Sequence, residues 1–293
     1  MMQPIKKIAI LTGGGDCPGL NAVIRAVTRT AILKYGYEVI GYKFGYRGLY
    51  NNDFVKLDLD SVSGILHRGG TILHSSNKDN LFDYQVEDEN GKIVKKDVSD
   101  VGVENLKKEG VDALVVIGGD GTLTSARDFS RKGVNVIGVP KTIDNDLLAT
   151  DVTFGFNTAT EIATEALDRL HTTAESHHRI MLLEVMGRNA GWIALESGIA
   201  GSADVILLPE INKIVEKVKE REEAGKQFTI IVVAEGAKPK DGEVVVSKIV
   251  DDSPDPIRLG GIANKLAIDL EGLIKNHEIR STVLGHIQRG GNT

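Results

Sequence analysis

A single cysteine, Cys17, stands in 293 residues. Neither an intrachain disulfide framework nor a thiolate metal site can be built from it, and a reducing cytosol is the expected home. Basic residues are in the minority, with 35 Lys and Arg against 41 Asp and Glu and a formal charge of −6. A nucleic-acid binder needs a basic surface that displaces counterions, so no nucleic-acid partner is expected. No run approaches the ~18 consecutive apolar residues of a membrane helix, and the apolar stretch after Lys7 is too short for a signal-peptide core. No membrane partner is expected either, and the location expected is cytoplasmic. Hydrophobic residues make up 41%, enough for a conventional core, and the length allows one large domain or two ordinary ones. Glycine is the excess, at 33 residues, and its placement decides the rest.

Strand-like stretches at 7–12, 38–42, 113–117, 134–139, 179–185, 205–208, 229–234 and 281–284 alternate with helical spacing. The helical stretches are 21–35, 60–66, 102–109, 123–131, 158–175, 191–199, 213–224 and 262–274. Repetition of strand, Gly-rich turn and helix predicts an α/β fold with mainly parallel sheets covered on both faces. Ligands of such sheets bind beyond the carboxyl ends of the strands, and the glycine clusters after Leu11, Ile117, Val185, Ala234 and Leu284 fall there. The polar stretch 88–97, centred on Asn90–Gly91, reads as an exposed hairpin or loop, and a domain change is expected near 150–157.

Three turns carry chemistry. TGGGDCPGLN (12–21) follows a strand and opens a helix, so its backbone N–H groups can approach an anion in the field of a helix N-terminus. Its spacing matches neither a Walker loop nor a dinucleotide fingerprint. GGDGT (118–122) repeats the geometry with a carboxylate inside the turn, and Asp120 could hold Mg²⁺, which uses only one or two protein carboxylates. PKTIDND (140–146) sets Asp144 and Asp146 two residues apart after a third strand. Phosphoryl transfer needs a base for the attacking hydroxyl and compensation of charge, with little covalent chemistry. Each turn alone is equally well a tight βα connection.

In order, GGGDCPGLNAVIR, GGDGT, PKTIDND, HHRIMLLEVMGRNAGW, VAEG and RSTVLGHIQRGG resemble the 6-phosphofructokinase family, from Lys7 to Gly291. The resemblance implies two Rossmann-like three-layer α/β/α domains with the active site in the cleft between them. Residues 1–155, with the end of the chain from about 288 to 293, would bind the phosphoryl donor, and 156–287 the sugar phosphate. The implied reaction transfers a phosphoryl group to the 1-hydroxyl of fructose 6-phosphate in glycolysis, with Mg²⁺ as cofactor. Asp144 resembles the general base, supported by Thr142 and Asp146, with Lys141 beside them. Gly14, Gly119, Asp120, Gly121 and Thr122 match the donor site, with Asp120 as metal ligand. Met186, Gly187, Arg188 and Glu235 resemble the residues that hold the sugar, and His286 and Arg289 those on its 6-phosphate. Arg179 and Arg280 match arginines that reach this phosphate from a neighbouring subunit, which implies a homodimer or homotetramer.

The family divides between ATP and pyrophosphate as donor. Gly121 leaves room for an α-phosphate and adenosine where pyrophosphate users typically carry Asp, so ATP is expected, although Lys141 also suits the pyrophosphate pattern. At 71–78 the chain departs from the family: His74 stands for the usual Gly, and neutral Asn77 for an Arg that touches the transferred phosphate, with Lys78 one place along as a point charge. Asn77 motivates a third reading, a sugar-phosphate-binding paralogue of weak activity. A kinase of NAD or lipid would leave Arg188, Glu235, His286 and Arg289 without a role. Arg25 and Arg29 match effector-site arginines, but Leu59 and His171 stand where further cationic ligands are expected. Family members continue beyond the last motif, so the chain is expected to be truncated after Thr293.

Overall fold

The computed structural model describes residues 5–89, 91–211, 214–239, 242–250 and 256–293. The chain forms two compact units. The first takes the described residues of 1–142, with 147–155 and 290–293; the second takes 143–146 and the described residues of 156–289. The division passes through the PKTIDND segment, between Thr142 and Ile143.

In the first unit the elements run β1 (Lys7–Thr12), α1 (Leu20–Tyr35), β2 (Glu38–Tyr42), α2 (Tyr46–Asn51), β3 (Phe54–Leu57), β4 (Tyr84–Glu87) and β5 (Ile93–Lys96). They continue with α3 (Ser99–Lys108), β6 (Ala113–Gly118), α4 (Asp120–Arg131), β7 (Val136–Thr142) and β8 (Phe154–Gly155). The sheet order is β3-β2-β1-β6-β7-β8, parallel except for the β2–β3 pair. β1 and β6 are fully apolar runs over most of their length, as strands buried on both faces must be. Leu11, Tyr42, Leu114 and Val116 pack there with Leu106 of α3 and Phe129 of α4. The strand order reverses at β1, between β2 and β6, and the loops after β1 and β6 leave the sheet side by side, with Thr12 opposite Ile117. Such a reversal is where α/β sheets bind ligands.

The second unit contains α5 (Phe156–His177), β9 (Ile180–Val185), α6 (Trp192–Ala200), β10 (Val205–Leu207), β11 (Glu210–Ile211), α7 (Ile214–Glu223) and β12 (Thr229–Ala234). Then come β13 (Lys238–Pro239), β14 (Val246–Ile249), β15 (Ile257–Leu259), α8 (Ile262–Leu273), β16 (Ile279–Val283) and a 3₁₀ turn at Gly285–Arg289. Its main sheet, β10-β12-β9-β16, is wholly parallel. Leu182, Ile231, Val233, Ala263 and Leu270 fill its core.

The alternation read from the sequence is present, with three differences. The stretch 60–66 is a series of turns rather than a helix. Ser61 and Asp58 exchange hydrogen bonds there, and Gly64 takes a left-handed φ of 68°, so the backbone leaves the helical region. α2 and β3 were not anticipated. GGDGT is not a free turn, because α4 begins at Asp120. The 88–97 stretch lies, as expected, in a hairpin, the antiparallel pair of β4 and β5. Asn90, and Lys213 at the expected start of the charged helix, lie outside the described residues.

Candidate active site

The phosphate-binding candidate of the first unit is made where three segments touch. The Gly13 amide donates to the Ile117 carbonyl at 2.9 Å, and the Gly14 amide to the Ser76 carbonyl at 3.0 Å. The Ser75 hydroxyl donates to the Gly14 carbonyl at 2.5 Å. Thr122 explains two of the glycines. A Cβ on Gly118 would lie 2.4 Å from the Thr122 Cβ, and one on Gly13 2.7 Å from its Cγ2. Thr122 itself is held by Tyr46, whose hydroxyl donates to the Thr122 carbonyl at 2.9 Å; burial, with Asp128 nearby, pushes that phenol far up, so it stays protonated. The first turn of α4 is thereby tied to α2 and packed on the glycines that follow β1 and end β6. Gly119 caps α4 without any side-chain hydrogen bond to the helix N–H groups, and Asp120 stands exposed in the first turn. An uncapped N-terminus beside glycine loops is suited to an anion.

Lys141, at the end of β7, is only 4% exposed, and its ammonium donates to the Gly15 carbonyl at 2.5 Å. This places a point cation against the glycine loop, 3.5 Å from where a Gly14 Cβ would stand. Around Gly121 a Cβ would meet nothing within 4 Å. Asn77 and Lys78 are exposed just beyond Ser76. Arg25, by contrast, donates to the Val62 carbonyl within the first unit.

In the second unit, strand register gathers the remaining candidates. Val185 pairs with Ala234 and Glu184 with Val283, so the loops after β9, β12 and β16 emerge together. These loops carry Met186, Gly187 and Arg188, then Glu235, then His286 and Arg289. Glu235 is 8% exposed, and its Oε1 accepts the Arg188 amide at 3.0 Å. Gly236 permits this approach, because a Cβ there would lie 2.2 Å from the Arg188 carbonyl oxygen. Burial, chiefly, raises the Glu235 carboxyl above its ordinary range, and the Asp144 charge adds to the rise; the Arg188 amide and the Arg188 and Arg289 cations oppose it. Asp144 is itself buried, in the turn after β7 that Asn145 shapes with a left-handed φ of 50°. Two acids and two guanidinium groups therefore share one electrostatic neighbourhood. His286 is exposed, as is Asp146, while Thr142 in the first unit is half-buried and accepts at its carbonyl from the Thr153 hydroxyl.

Arg179 and Arg280 do not join this group. They stand at the opposite end of the sheet, before β9 and in the second position of β16, and six residues of strand put the two ends ~20 Å apart. Both bind Glu278, Arg179 on one carboxylate oxygen and Arg280 on the other. Sequence reasoning missed Glu278, which lies two residues before Arg280, just ahead of β16. It also missed Glu184, a buried carboxylate on β9 that accepts the Gly261 and Ala263 amides at 2.8 and 2.9 Å. Gly261 has no side chain to cap α8, and Glu184 supplies the cap from a neighbouring strand.

A family model of phosphofructokinase matches residues 7–293. The ATP-dependent 6-phosphofructokinase 2 of Clostridium perfringens is 99% identical over 297 aligned residues, across the whole of this chain and 81% of that protein. The chain belongs to the phosphofructokinase family. A second relative, the pyrophosphate–fructose 6-phosphate 1-phosphotransferase of Streptomyces coelicolor, is 51% identical over 290 residues, covering 97% of this chain and 81% of its own. The solved phosphofructokinase of Saccharomyces cerevisiae matches with a TM-score of 0.80 at 32% identity, over 98% of this chain and 39% of that one. At about half identity, relatives are named for ATP and for pyrophosphate alike, whereas the 99% identical relative is named for ATP. Among the described residues, no helix of this phosphofructokinase is long and apolar enough to cross a membrane.

Proposed function

We propose that this phosphofructokinase transfers the terminal phosphoryl group of ATP to the 1-hydroxyl of fructose 6-phosphate, giving fructose 1,6-bisphosphate as a cytoplasmic step of glycolysis. The observation that carries the reading is the neighbourhood of buried Asp144 and Glu235 with half-buried Arg188 and Arg289. Sugar hydroxyls call for a carboxylate acceptor, a phosphate dianion for Arg forks, and a hydroxyl nucleophile for a base. Asp144 takes the proton from the sugar 1-hydroxyl as it attacks. Glu235 accepts a second hydroxyl, Met186, Gly187 and Arg188 frame the sugar, and His286 and Arg289 meet its 6-phosphate. On the donor side, the Gly14 loop and the N-terminus of α4 cradle phosphates, Lys141 adds a cation, and Thr142 and Asp146 flank the base along the chain. The open space at Gly121 favours a nucleotide donor.

Mg²⁺ fits Asp120. No group of three or more candidate ligands gathers among the described residues, and Mg²⁺ needs no such cage when phosphate oxygens and water complete its shell. When bound, it would neutralise charge on the phosphoryl oxygens. Arg179 and Arg280 serve a neighbouring subunit in this reading, because their own chain's sugar residues lie at the other end of the sheet. The active unit is then a homodimer or homotetramer.

A coupled assay with ATP and pyrophosphate as alternative donors tests the donor; turnover with pyrophosphate alone would favour the second reading that Lys141 supports. Asp144→Asn should lower kcat by about 10²–10⁴ with little change in sugar KM, the usual loss on removing a general base. Mixed oligomers of Asp144→Asn and Arg280→Ala subunits should regain activity that neither has alone. Near-native turnover of Asp144→Asn would remove Asp144 from the role of base.

A further inference from the structure

Beside the glycine loop stands a pair of aromatic residues in an unusual backbone state. Phe44 and His74 both have left-handed φ values, 56° and 57°. Left-handed backbone is unfavourable for residues with a Cβ, and where two such residues face each other the arrangement asks for a reason. The Phe44 amide donates to the Leu73 carbonyl at 2.9 Å, which brings the two segments together. The rings then stack, with centroids 4.9 Å apart and planes 14° from parallel. The Arg47 guanidinium lies over the same Phe44 ring at 4.7 Å and leans on Asp79 at 4.0 Å. His74 is nevertheless exposed. A stacked ring buries one face, so the exposed face of His74 is the outer one.

The shelf is tied to the phosphate loop by the chain itself. The His74 carbonyl accepts the Thr12 hydroxyl at 2.8 Å, and the next two residues bond both sides of Gly14. One residue of chain and one hydrogen-bonded strand spacing put His74 within ~9 Å of Gly14, inside the length of a nucleotide. A flat, open aromatic ring at that distance from a phosphate cradle is suited to the face of a purine.

We propose that the outer face of His74 is the shelf on which the base of the phosphoryl donor stacks, so that His74 makes the donor site selective for a purine nucleotide over an inorganic donor. The inference rests on the nucleotide-donor reading above. Left-handed backbone at position 74 is maintained by the Leu73 and Thr12 hydrogen bonds, and the side chain placed there serves binding rather than stability.

His74→Asn tests this, since Asn tolerates left-handed backbone but has no ring, and His74→Phe restores a ring. Competitive inhibition by ADP and by inorganic tripolyphosphate separates the base from the phosphates. In the Asn variant the KM for ATP and the inhibition constant of ADP should each rise about tenfold, with the tripolyphosphate constant changed less than about twofold. The Phe variant should return ADP to within about threefold of the parent. His74→Gly should weaken nucleotide binding likewise while raising Tm by about 2 °C, because backbone strain is relieved. An unchanged ADP constant in the Asn variant, or equal weakening of ADP and tripolyphosphate, overturns the shelf. Parent enzyme that turns over pyrophosphate alone and ignores ADP overturns the nucleotide-donor reading, and the shelf with it.

Discussion

Gly121→Asp separates the donor site from the fold. Gly121 is the second residue of α4, its φ lies outside the left-handed region, and an added Cβ would meet nothing within 4 Å. Replacing Gly in a helix is favourable by a few tenths of a kcal/mol, and an acid in the first turn gains ~0.3–1 kcal/mol from the helix dipole. Repulsion from the adjacent exposed Asp120 offsets part of this, so stability should stay within about 1 kcal/mol of the parent, on the favourable side. Binding should behave oppositely. An ATP α-phosphate charge ~5 Å from the new carboxylate, at an effective dielectric of ~20, is disfavoured by about 3 kcal/mol, or about a hundredfold in KM. Pyrophosphate has no α-phosphate or ribose to meet that carboxylate, so its KM should move much less. Urea unfolding reports the first quantity, and the coupled assay with each donor reports the second. A stable variant whose ATP KM is unchanged would show that the donor does not pass over Gly121, and the argument from its open space would fail.

Two further substitutions probe the second unit. Burial raises the Glu235 carboxyl, so its contribution to stability is full below the unfolded-state pKa and is lost as pH rises through the folded one. Glu235→Gln should therefore be more stable than the parent at neutral pH, with the difference vanishing in acid; the amide oxygen can still accept the Arg188 N–H. The same change should raise the sugar KM about 10–100-fold, as loss of a charged acceptor does, and thermal melts across pH with steady-state kinetics check both. A variant of unaltered stability at neutral pH would mean that Glu235 is not held against its charge. Glu184→Ala removes the carboxylate that caps α8 through the Gly261 and Ala263 amides and should cost about 3 kcal/mol, read by urea unfolding. A loss under ~1 kcal/mol would mean that water replaces the cap.

What the sequence disclosed and what it hid divide along a physical line. Apolar runs and glycine turns are local signals, so β1, β6, β9 and β12 could be read within a residue or two of their ends. The turns at 60–66 were missed because hydrogen bonds between Asp58 and Ser61 outweigh an apolar spacing that resembles a helix. Glu235 meets Arg188 across 47 positions of sequence, and Arg179 meets Glu278 across 99. No spacing rule announces such pairs; parallel register creates them, by setting Ala234 beside Val185 and Ile279 beside Ile180.

That register also sorts the arginines, by the end of the strand at which each stands. Arg188 and Arg289 leave the carboxyl ends of their strands, beside a buried acid that partly compensates their charge. Arg179 and Arg280 stand at the amino ends, where Glu278 binds both and its carboxyl is held below the usual range, first by Arg179. A parallel sheet has polarity, so residues at its two ends cannot grip one small ligand from the same chain. The four arginines, alike in composition, are therefore two sets with different addresses. Glu278 holds the second pair together, and in the proposed oligomer these are the arginines that a neighbouring subunit's sugar phosphate would meet.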